Sequence, residues 1–211
     1  MTKQTGMPLA VIALLAAAVS CTRQPLNNLS IDDTKIYITN RDSTANFGSF
    51  KTFSITDSVA VIKNNQLSVK TITPTDSAFI AAVSAQLQQR GYALVQKGQS
   101  PDLGVSLNRI YNSSTAVVDY GDYWGDYYGY WDPYYWGYPG YSYYSSYVGV
   151  YTVTDGAVAI DLVDLKDAAA TSKIKSVWSG LIRGEGIISQ SNASAEVQAL
   201  FAQSPYLKAN N

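Results

Sequence analysis

The amino-acid sequence predicts an α+β domain of two layers, in which helices cover one face of a largely antiparallel sheet and a long Tyr/Gly-rich loop is added. Three observations lead to this class. A well-capped amphipathic helix follows two strand-like segments, several alternating segments are then joined by short turns, and a second helix ends the chain. Apolar residues form 46% of the chain and charged residues 15%, which suits a globular core.

Two segments at the start of the domain have the alternation of β-strands. The first reads KIYITN, where Ile36 and Ile38 alternate with Tyr37. The second reads FGSFKTFSIT and contributes Phe50 and Phe53. We predict one strand in each segment.

The first helix is predicted by signals at both ends of TPTDSAFIAAVSAQLQQRG. Thr73 suits the N-cap, Pro74 the first helical position and Asp76 the third, close to a capping box. Gly91 closes the helix after its last apolar position. The apolar positions form one stripe and are Phe79, Ile80, Val83 and Leu87. Such a stripe must cover an apolar surface, most simply a sheet face.

Further strands and one short helix complete the domain. The segments YALV and DLGVSLNRI come next, and Leu103, Val105 and Leu107 alternate in the second of them. GAVAIDLVDL and KIKSVWSGLIRG predict two strands joined by a polar turn over Asp167–Ser172, and NASAEVQALFAQ predicts a helix that stops before Pro205. Because strands joined by tight turns pair antiparallel, the sheet is expected to be largely antiparallel.

The beginning of the chain has the architecture of a secretory signal. MTKQTGMPLAVIALLAAAVSC has a positive charge at Lys3, eleven apolar residues from Leu9 to Val19, and small residues before Cys21. Eleven residues are too few to cross a bilayer, which needs about 20 in a helix. The segment AAAVSC resembles a bacterial lipobox, in which the cysteine is lipidated and becomes the mature N-terminus. The alternative is an ordinary cleaved signal with an incidental cysteine nearby.

These features divide the chain into three parts. We predict a lipoprotein signal peptide over residues 1–20, a lipidated tether over 21–33, and a single α+β domain over 34–208 with an aromatic insert at 120–147. Two or more acyl chains on Cys21 would hold the domain stably at a membrane. Thr22 follows that cysteine, and by resemblance to enterobacterial sorting this favours the outer membrane, with the domain facing the periplasm.

Composition excludes several classes of function. Histidine is absent and Cys21 is the only cysteine, which removes Ser-His and Cys-His nucleophiles and zinc sites built on these residues. The net charge of −1 with no basic tract gives no footprint for nucleic acid. Asp161 and Asp164 are the best carboxylate pair, but three positions apart on a strand they point to opposite faces. We therefore expect no enzyme, no cofactor and no metal.

The stretch from Tyr120 to Tyr147 holds three of the chain's 4 tryptophans and most of its 17 tyrosines, without lysine or arginine. Four interpretations remain open: packing over an exposed sheet face, a platform for a glycan or protein ligand, contact with lipid headgroups, and a self-associating disordered segment. Under the platform interpretation the ligand-binding residues are Tyr123, Trp124, Tyr127, Tyr128, Trp131, Tyr134, Tyr135 and Trp136.

Several short motifs follow one another in a fixed order. They are Phe47, Phe50, Lys51, Thr52 and Phe53, then Arg90, Gly91 and Tyr92, then Pro101 to Leu103, and finally Asp164, Trp178 and Gly180. Together they resemble the domain of unknown function 4136 family, found in lipoproteins of Gram-negative bacteria including Bacteroidetes. The resemblance covers about Ile36 to Tyr206 and implies an envelope lipoprotein with a small α+β domain, without catalytic residues. Trp178 and Gly180 lie two apart on a predicted strand, so the ring is expected to lie over the glycine.

The function expected from these observations is that of a non-enzymatic, lipid-anchored cell-envelope lipoprotein with a structural or binding role. Its partners would be the membrane, through the N-terminal lipid, and an envelope glycan or envelope protein. The alternative is a glycan-binding module, for peptidoglycan or lipopolysaccharide, that uses the Tyr/Trp-rich loop.

Overall fold

The predicted strands and helices are present, together with several strands that were not predicted from the sequence. The structure is a computed structural model that describes residues 30–64, 66–111, 113–119, 133–145, 148–153 and 156–210. Its strands are β1 Ile36–Arg41, β2 Thr52–Ile55, β3 Val59–Lys63, β4 Gln66–Thr71, β5 Ala93–Leu94, β6 Leu103–Tyr111, β7 Ser113–Asp119, β8 Ser142–Ser145, β9 Val148–Val153, β10 Ala157–Asp164 and β11 Lys173–Arg183. Its α-helices are α1 Pro74–Gln89, α2 Ala168–Thr171 and α3 Ala193–Ala202.

The main sheet is built around β10, which pairs antiparallel with β11 on one side and with β6 on the other. On its outer edge, β11 pairs with two strands in turn. Its first part, Lys173–Ser176, pairs parallel with β8, and its later part, Trp178–Arg183, pairs antiparallel with β1. The outer edge of β6 carries β2 and β3, both parallel, and these continue to β5 and β4. The α+β class is therefore confirmed. The longest ladders are antiparallel as expected, and shorter parallel pairings make the sheet mixed at its margins.

Alternation along the strands sorts the side chains of the sheet onto two faces. On β10, Val158, Ile160 and Leu162 pack in the core cluster that includes the side chains of α1 and α3. Ala159 and Val163 pack in a second cluster on the opposite face. The expectation that the two longer helices cover one face of the sheet is confirmed, and we call this the helix face.

The first helix begins as its sequence predicts. Thr73 and Asp76 form a reciprocal capping box, with the Asp76 backbone N–H donating to Thr73 Oγ1 at 3.2 Å and the Thr73 N–H donating to Asp76 Oδ2 at 2.8 Å. Phe79, Val83 and Leu87 are buried from this helix. A cap of this kind contributes roughly 1 kcal/mol, whereas burial of the apolar stripe contributes more.

The second face is covered in part by the segment Pro133–Tyr144, which we call the aromatic belt. Its Trp136 is buried in the second cluster, and Tyr135, Tyr138, Tyr141 and Tyr143 pack against that cluster. The belt ends in β8, beside the start of β11. Aromatic rings supply the large apolar area that a sheet face without helices otherwise lacks.

A two-stranded ribbon of β7 and β9 continues the β6–β10 pairing. Ile110 pairs with Ala157 at the end of one ladder, and Ser113 pairs with Val153 at the start of the next. The ribbon cannot run straight on from the sheet, since Val148 at its tip is only three residues after Ser145 of β8. Three residues span at most about 11 Å, so the ribbon turns back toward the belt.

The two ends of the sheet have different surroundings. Ile36, Arg183, Ala157 and Ile110 lie in one row across four strands, and the described chain enters at this row. We call it the entry end. The start of β11 at Lys173 lies ten residues along the strand, roughly 30 Å away at the far end. In the part of the chain that the structure describes, no helix has the length and hydropathy to span a membrane.

Three features depart from the expectations. The polar turn Asp167–Ser172 contains one helical turn, α2. The β3–β4 hairpin and the β7–β9 ribbon were not predicted, although Val59–Lys63 is almost wholly buried. Within FGSFKTFSIT the strand is confined to Thr52–Ile55, because Phe47–Ser49 forms a 3₁₀ turn.

Candidate functional site

The aromatic belt crosses the far end of the sheet with Trp136 at its centre. Trp136 is only 7% exposed and lies over Gly104, where an added Cβ would come within 3.0 Å of the indole ring and 2.9 Å of Val163. Tyr138 fastens the belt further, since its hydroxyl donates to the Leu165 carbonyl at 3.1 Å. For this part of the aromatic stretch, the structure agrees with packing over a sheet face.

Tyr134 and Tyr135 are the belt residues that remain accessible at its first edge. Tyr134 is 74% exposed. Tyr135 is half-buried, accepts a hydrogen bond from the Asp57 N–H at 3.2 Å, and has the Lys97 ammonium 4.1 Å from its ring centroid. Burial raises the pKa of Tyr135. The ring forms one wall of an open groove of about 460 Å³ beside β5.

The other predicted site residues lie outside the described residues and stay predictions. They are Cys21, Tyr123, Trp124, Tyr127, Tyr128 and Trp131. Of the eight predicted ligand residues, the structure therefore places Tyr134, Tyr135 and Trp136. It brings these three together in sequence order but leaves only the two tyrosines available to a ligand.

Asp161 lies at the centre of a buried polar row on the second face. It faces Ser106 of β6 and Ser179 of β11 in register, and Asn108 Nδ2 donates to its Oδ2 at 3.2 Å. Burial raises the pKa of Asp161 to about 7, an effect that the Asn108 hydrogen bond partly offsets. In the described part of the chain, Asp161 Oδ1 and both serine hydroxyls make no hydrogen bond. Each such group costs roughly 1–3 kcal/mol.

A crevice of about 30 Å³ reaches this row from solvent. It runs between Lys70 and Tyr135 to Ser106 and Asn108. A volume of this size holds about one water molecule and no organic ligand. Apart from this crevice the polar row is enclosed, and it offers no surface on which two carboxylates could act on one bond.

A second polar site, which we call the polar cleft, opens near the far end of the sheet and has a volume of about 310 Å³. Asp164 lines it, and its Oδ1 accepts the Asp167 N–H at 3.0 Å, so this carboxylate closes the strand at the turn. Burial raises the pKa of Asp164. Asp161 belongs to the enclosed row and Asp164 to the cleft, which agrees with the expectation that the two carboxylates point to opposite faces.

The floor of the polar cleft carries an ion pair that sequence reasoning missed. Lys175 Nζ pairs with Asp42 Oδ2, and Asp42 Oδ1 accepts from the Thr44 N–H at 2.9 Å and hydroxyl at 2.8 Å. Burial opposes ionisation of Asp42, but the bonds from Lys175 and Thr44 outweigh it, and the pKa of Asp42 is lowered. The sequence Asp42-Ser43-Thr44 signals a local turn, but nothing local indicates its distant lysine.

The motif residues of the sequence are structural. The Arg90 guanidinium donates to the carbonyls of Phe201 at 2.7 Å, Ser204 at 2.9 Å and Leu207 at 3.3 Å, so it ties α1 to the end of α3. Tyr92 is buried, and its hydroxyl donates to the Phe47 carbonyl at 3.2 Å. These contacts fix the chain that follows each of the two long helices against a neighbouring segment.

The remaining motifs have the same character. Asp102 accepts from the backbone N–H groups of Lys51 at 2.6 Å and Thr52 at 3.2 Å, which joins two motifs across neighbouring strands. Trp178 is fully buried, and a Cβ at Gly180 would lie 2.6 Å from its ring. The predicted packing of this ring over the glycine is confirmed.

Comparison with known proteins agrees with these fold-determining motifs. The family model described as a domain of unknown function (DUF4136) matches residues 38–206. The chain belongs to the DUF4136 family. The crystal structure of a DUF4136 family protein from Bacteroides thetaiotaomicron is similar, with 29% identity, a TM-score of 0.69, and coverage of 85% of this chain and 100% of that one. The short motifs described above lie within the matched range and join strands and helices in this structure.

More distant structures were also found. A PelC dodecamer from Paraburkholderia phytofirmans has 12% identity and a TM-score of 0.40, covering 84% of this chain and 99% of that one. A PDZ domain protein from Parabacteroides distasonis has 14% identity and a TM-score of 0.43, covering 84% of this chain and 38% of that one. No curated protein matches this DUF4136 chain.

Proposed function

We propose that this DUF4136 chain is a non-enzymatic lipoprotein of the cell envelope, held by a lipid on Cys21 at the outer membrane and facing the periplasm, with a structural or binding role. The observation that carries the proposal is the order of segments: a signal-like apolar stretch ends at the only cysteine, and a short polar segment leads from it to the domain. A doubly or triply acylated cysteine would tether the domain stably.

The position of the chain entry supports an orientation. The described chain enters the sheet at the row of Ile36, whereas β8 of the aromatic belt begins beside Lys173, roughly 30 Å along β11. A tether at the entry end would therefore present the belt away from the point of attachment. This favours packing or ligand binding for the belt over contact with lipid headgroups.

The arrangement of carboxylates supports a role without catalysis. An acid and base pair must act on one bond. Asp161 is enclosed in the polar row, and Asp164 is held in a turn on the opposite side of the sheet. The Asp161 and Asp164 carboxylates therefore cannot act together as an acid and base pair, which supports a binding role over a catalytic one.

Intact mass spectrometry of the mature protein tests the anchor. We expect a chain that begins at Cys21 and carries acyl groups, and we expect Cys21→Ala to release the protein from the membrane fraction. Ser20→Ala serves as the matched control and should remain in that fraction. A mature wild-type chain that starts at another residue, or that starts at Cys21 without acyl groups, contradicts the proposal.

A second candidate function is glycan binding at the groove beside β5. The observation that favours it is the pairing of an exposed ring, Tyr134, with the ring of Tyr135 that walls the groove. Polar side chains of Gln96, Gln99 and Asp57 line the same groove. Rings that stack on sugar faces, next to amides and carboxylates that bind hydroxyls, suit a saccharide.

Retention on purified peptidoglycan and on immobilised lipopolysaccharide tests this candidate. We expect Tyr134→Ala to reduce retention and Tyr135→Ala to reduce it further. Tyr144→Ala changes an exposed ring at the opposite edge of the belt and should have no effect. Trp136 is unsuitable for this purpose because it belongs to the core. Equal retention of all three variants and the wild type removes the groove as a glycan site.

A further inference from the structure

We propose that the polar cleft near the far end of the sheet binds a small zwitterion of the amino-acid class, with the ligand's ammonium group at Asp164 and its carboxylate at Lys173. The site is separate from the Tyr135 groove, and the proposal does not depend on the lipid anchor.

The cleft has the size and the walls of a site for a small ligand. Its volume of about 310 Å³ lies at the lower end of the range for small-molecule sites, which is roughly 300–1,000 Å³. Phe50, Val177 and Ala168 give it a buried apolar floor. Polar side chains of Thr44, Asn46, Ser49 and Thr171 line the remainder.

The charges of the cleft separate into a satisfied pair and two groups that are left for a ligand. Asp42 and Lys175 neutralise each other at the floor. Lys175 stands directly opposite Asp164 in the ladder, but its ammonium is engaged by Asp42 and by the Thr44 hydroxyl at 3.2 Å. Asp164, although half-buried, makes no ion pair among the residues that the structure describes. Lys166 nearby favours its charged form, but the Lys166 ammonium donates to the Ser49 carbonyl at 2.8 Å and makes no ion pair with it.

Lys173 supplies the complementary charge. It is exposed at the rim of the cleft, two residues before Lys175 on β11, and its ammonium lies 5.9 Å from the Tyr144 ring centroid. It makes no ion pair within the described part of the chain.

The charge balance selects the class of ligand. Asp42, Asp164 and Asp167 stand against Lys173 and Lys175, so the lining is nearly neutral and favours neither a simple anion nor a simple cation. A half-buried carboxylate gains most from a cation that it contacts directly, whereas a neutral sugar offers it hydrogen bonds but no opposite charge. A ligand with both charges satisfies Asp164 and Lys173 together.

Calorimetric titration of the full-length protein in detergent tests the proposal with four probes. Alanine carries both charges, N-acetylalanine lacks the ammonium, alanine amide lacks the carboxylate, and N-acetylalanine amide lacks both. We expect alanine to bind best and N-acetylalanine amide to bind least. Asp164→Asn should weaken alanine about tenfold, which corresponds to about 1.4 kcal/mol, and leave N-acetylalanine unchanged, because only alanine has the ammonium that contacts Asp164. Lys173→Met should weaken alanine similarly and leave alanine amide unchanged.

The variants are chosen so that loss of binding is not caused by loss of the folded structure. Asparagine at position 164 can still accept the Asp167 N–H, and Lys173 is exposed. The matched controls Asp57→Asn and Lys97→Met change the same charges at the Tyr135 groove and should bind alanine like the wild type. Failure of alanine to bind at millimolar concentration overturns the proposal. Equal binding of all four probes, or equal loss in the groove variants, overturns it as well.

Discussion

The two faces of the sheet bury their polar groups in different ways. On the helix face, Trp178 Nε1 donates to Ser204 Oγ at 2.9 Å, and Asp76 pairs with Arg109 at 2.8 Å. On the belt face, Asp161 and its neighbours Ser106 and Ser179 keep atoms without hydrogen bonds, in the part of the chain that the structure describes. The first arrangement is typical of a protein core, and the second costs stability.

The faces also differ in side-chain size. Strand residues on the helix face include Phe53, Leu107 and Ile160, which meet apolar helix stripes. Strand residues on the belt face include Gly104 and Ala159 beside larger residues such as Ile110, and Gly104 lies directly under Trp136. Small residues leave room for rings to approach the backbone, so the aromatic belt and this face fit each other. The rings of the belt thus pack closely on this face of the sheet, although the belt forms no helical layer.

Replacing one tryptophan on each face by alanine gives the largest expected difference in stability between the two faces. We expect Trp178→Ala to lower the free energy of unfolding by about 4 kcal/mol and Trp136→Ala by about 2 kcal/mol, as measured by urea denaturation. Trp178 is fully buried and hydrogen-bonded, so its loss leaves a closed cavity and an unpaired Ser204. The space left by Trp136 opens to solvent at the belt. Equal losses would show that the belt is as much a part of the core as the helices are.

The pH dependence of stability probes the polar row of the belt face. The pKa of Asp161 rises from 3.8 to about 7 on folding, so between these pH values the folded state holds a proton that the unfolded state has lost. The contribution of Asp161 to stability therefore falls as the pH rises from about 4 to about 7 and then levels off. A shift of roughly three units corresponds to at most roughly 4 kcal/mol.

The variant Asp161→Asn isolates this effect, because the amide cannot ionise but can still accept from Asn108. We expect the wild type to lose about 2–4 kcal/mol relative to the variant between pH 4 and pH 7.5, measured by urea denaturation at each pH. A constant difference across that range would mean that Asp161 is ionised and accommodated in the folded protein.

On the helix face, Arg90 is expected to have a smaller, local effect. Three carbonyls in the last turn of α3 and the segment after it accept from its planar guanidinium, a geometry that lysine cannot reproduce. We expect both Arg90→Lys and Arg90→Met to cost about 2 kcal/mol and to speed hydrogen exchange near Ser204. Arg41→Met removes only a cation–π contact with Tyr206 and should cost about 0.5 kcal/mol. If Arg90→Lys left the free energy of unfolding unchanged, the planar geometry of the guanidinium would not matter for stability.

The helix face was largely predictable from the sequence because its signals are local. The capping box at Thr73 and the stripe through Phe79 and Val83 specify α1 within one segment, and alternation specifies β6 and β10. The same alternation placed Trp178 over Gly180. These elements require no knowledge of which strand lies beside which.

The candidate sites were harder to predict, because they are made by pairings between distant segments. The Asp42–Lys175 pair depends on the approach of two segments far apart in sequence, and the polar row depends on the register of β6, β10 and β11. The aromatic composition did indicate an unusual surface. It could not say which rings pack and which stay exposed, since Tyr134, Tyr135 and Trp136 are adjacent and differ completely in burial.

Substitutions at Tyr134 and Tyr135, adjacent in the belt, have the smallest expected effects on the free energy of unfolding. Tyr134→Ala removes a ring that is 74% exposed and should change the free energy of unfolding by less than about 0.5 kcal/mol. Tyr135→Ala removes the acceptor of the Asp57 N–H and the ring beneath Lys97, and should cost about 1 kcal/mol. Urea denaturation of both variants, beside Tyr144→Ala, checks this order. If Tyr134 is the costlier loss, its ring packs on the domain rather than facing solvent, and it is not available beside the groove. A neutral Tyr134→Ala that also weakens glycan retention would instead assign that ring to a ligand, because packing could not account for the loss.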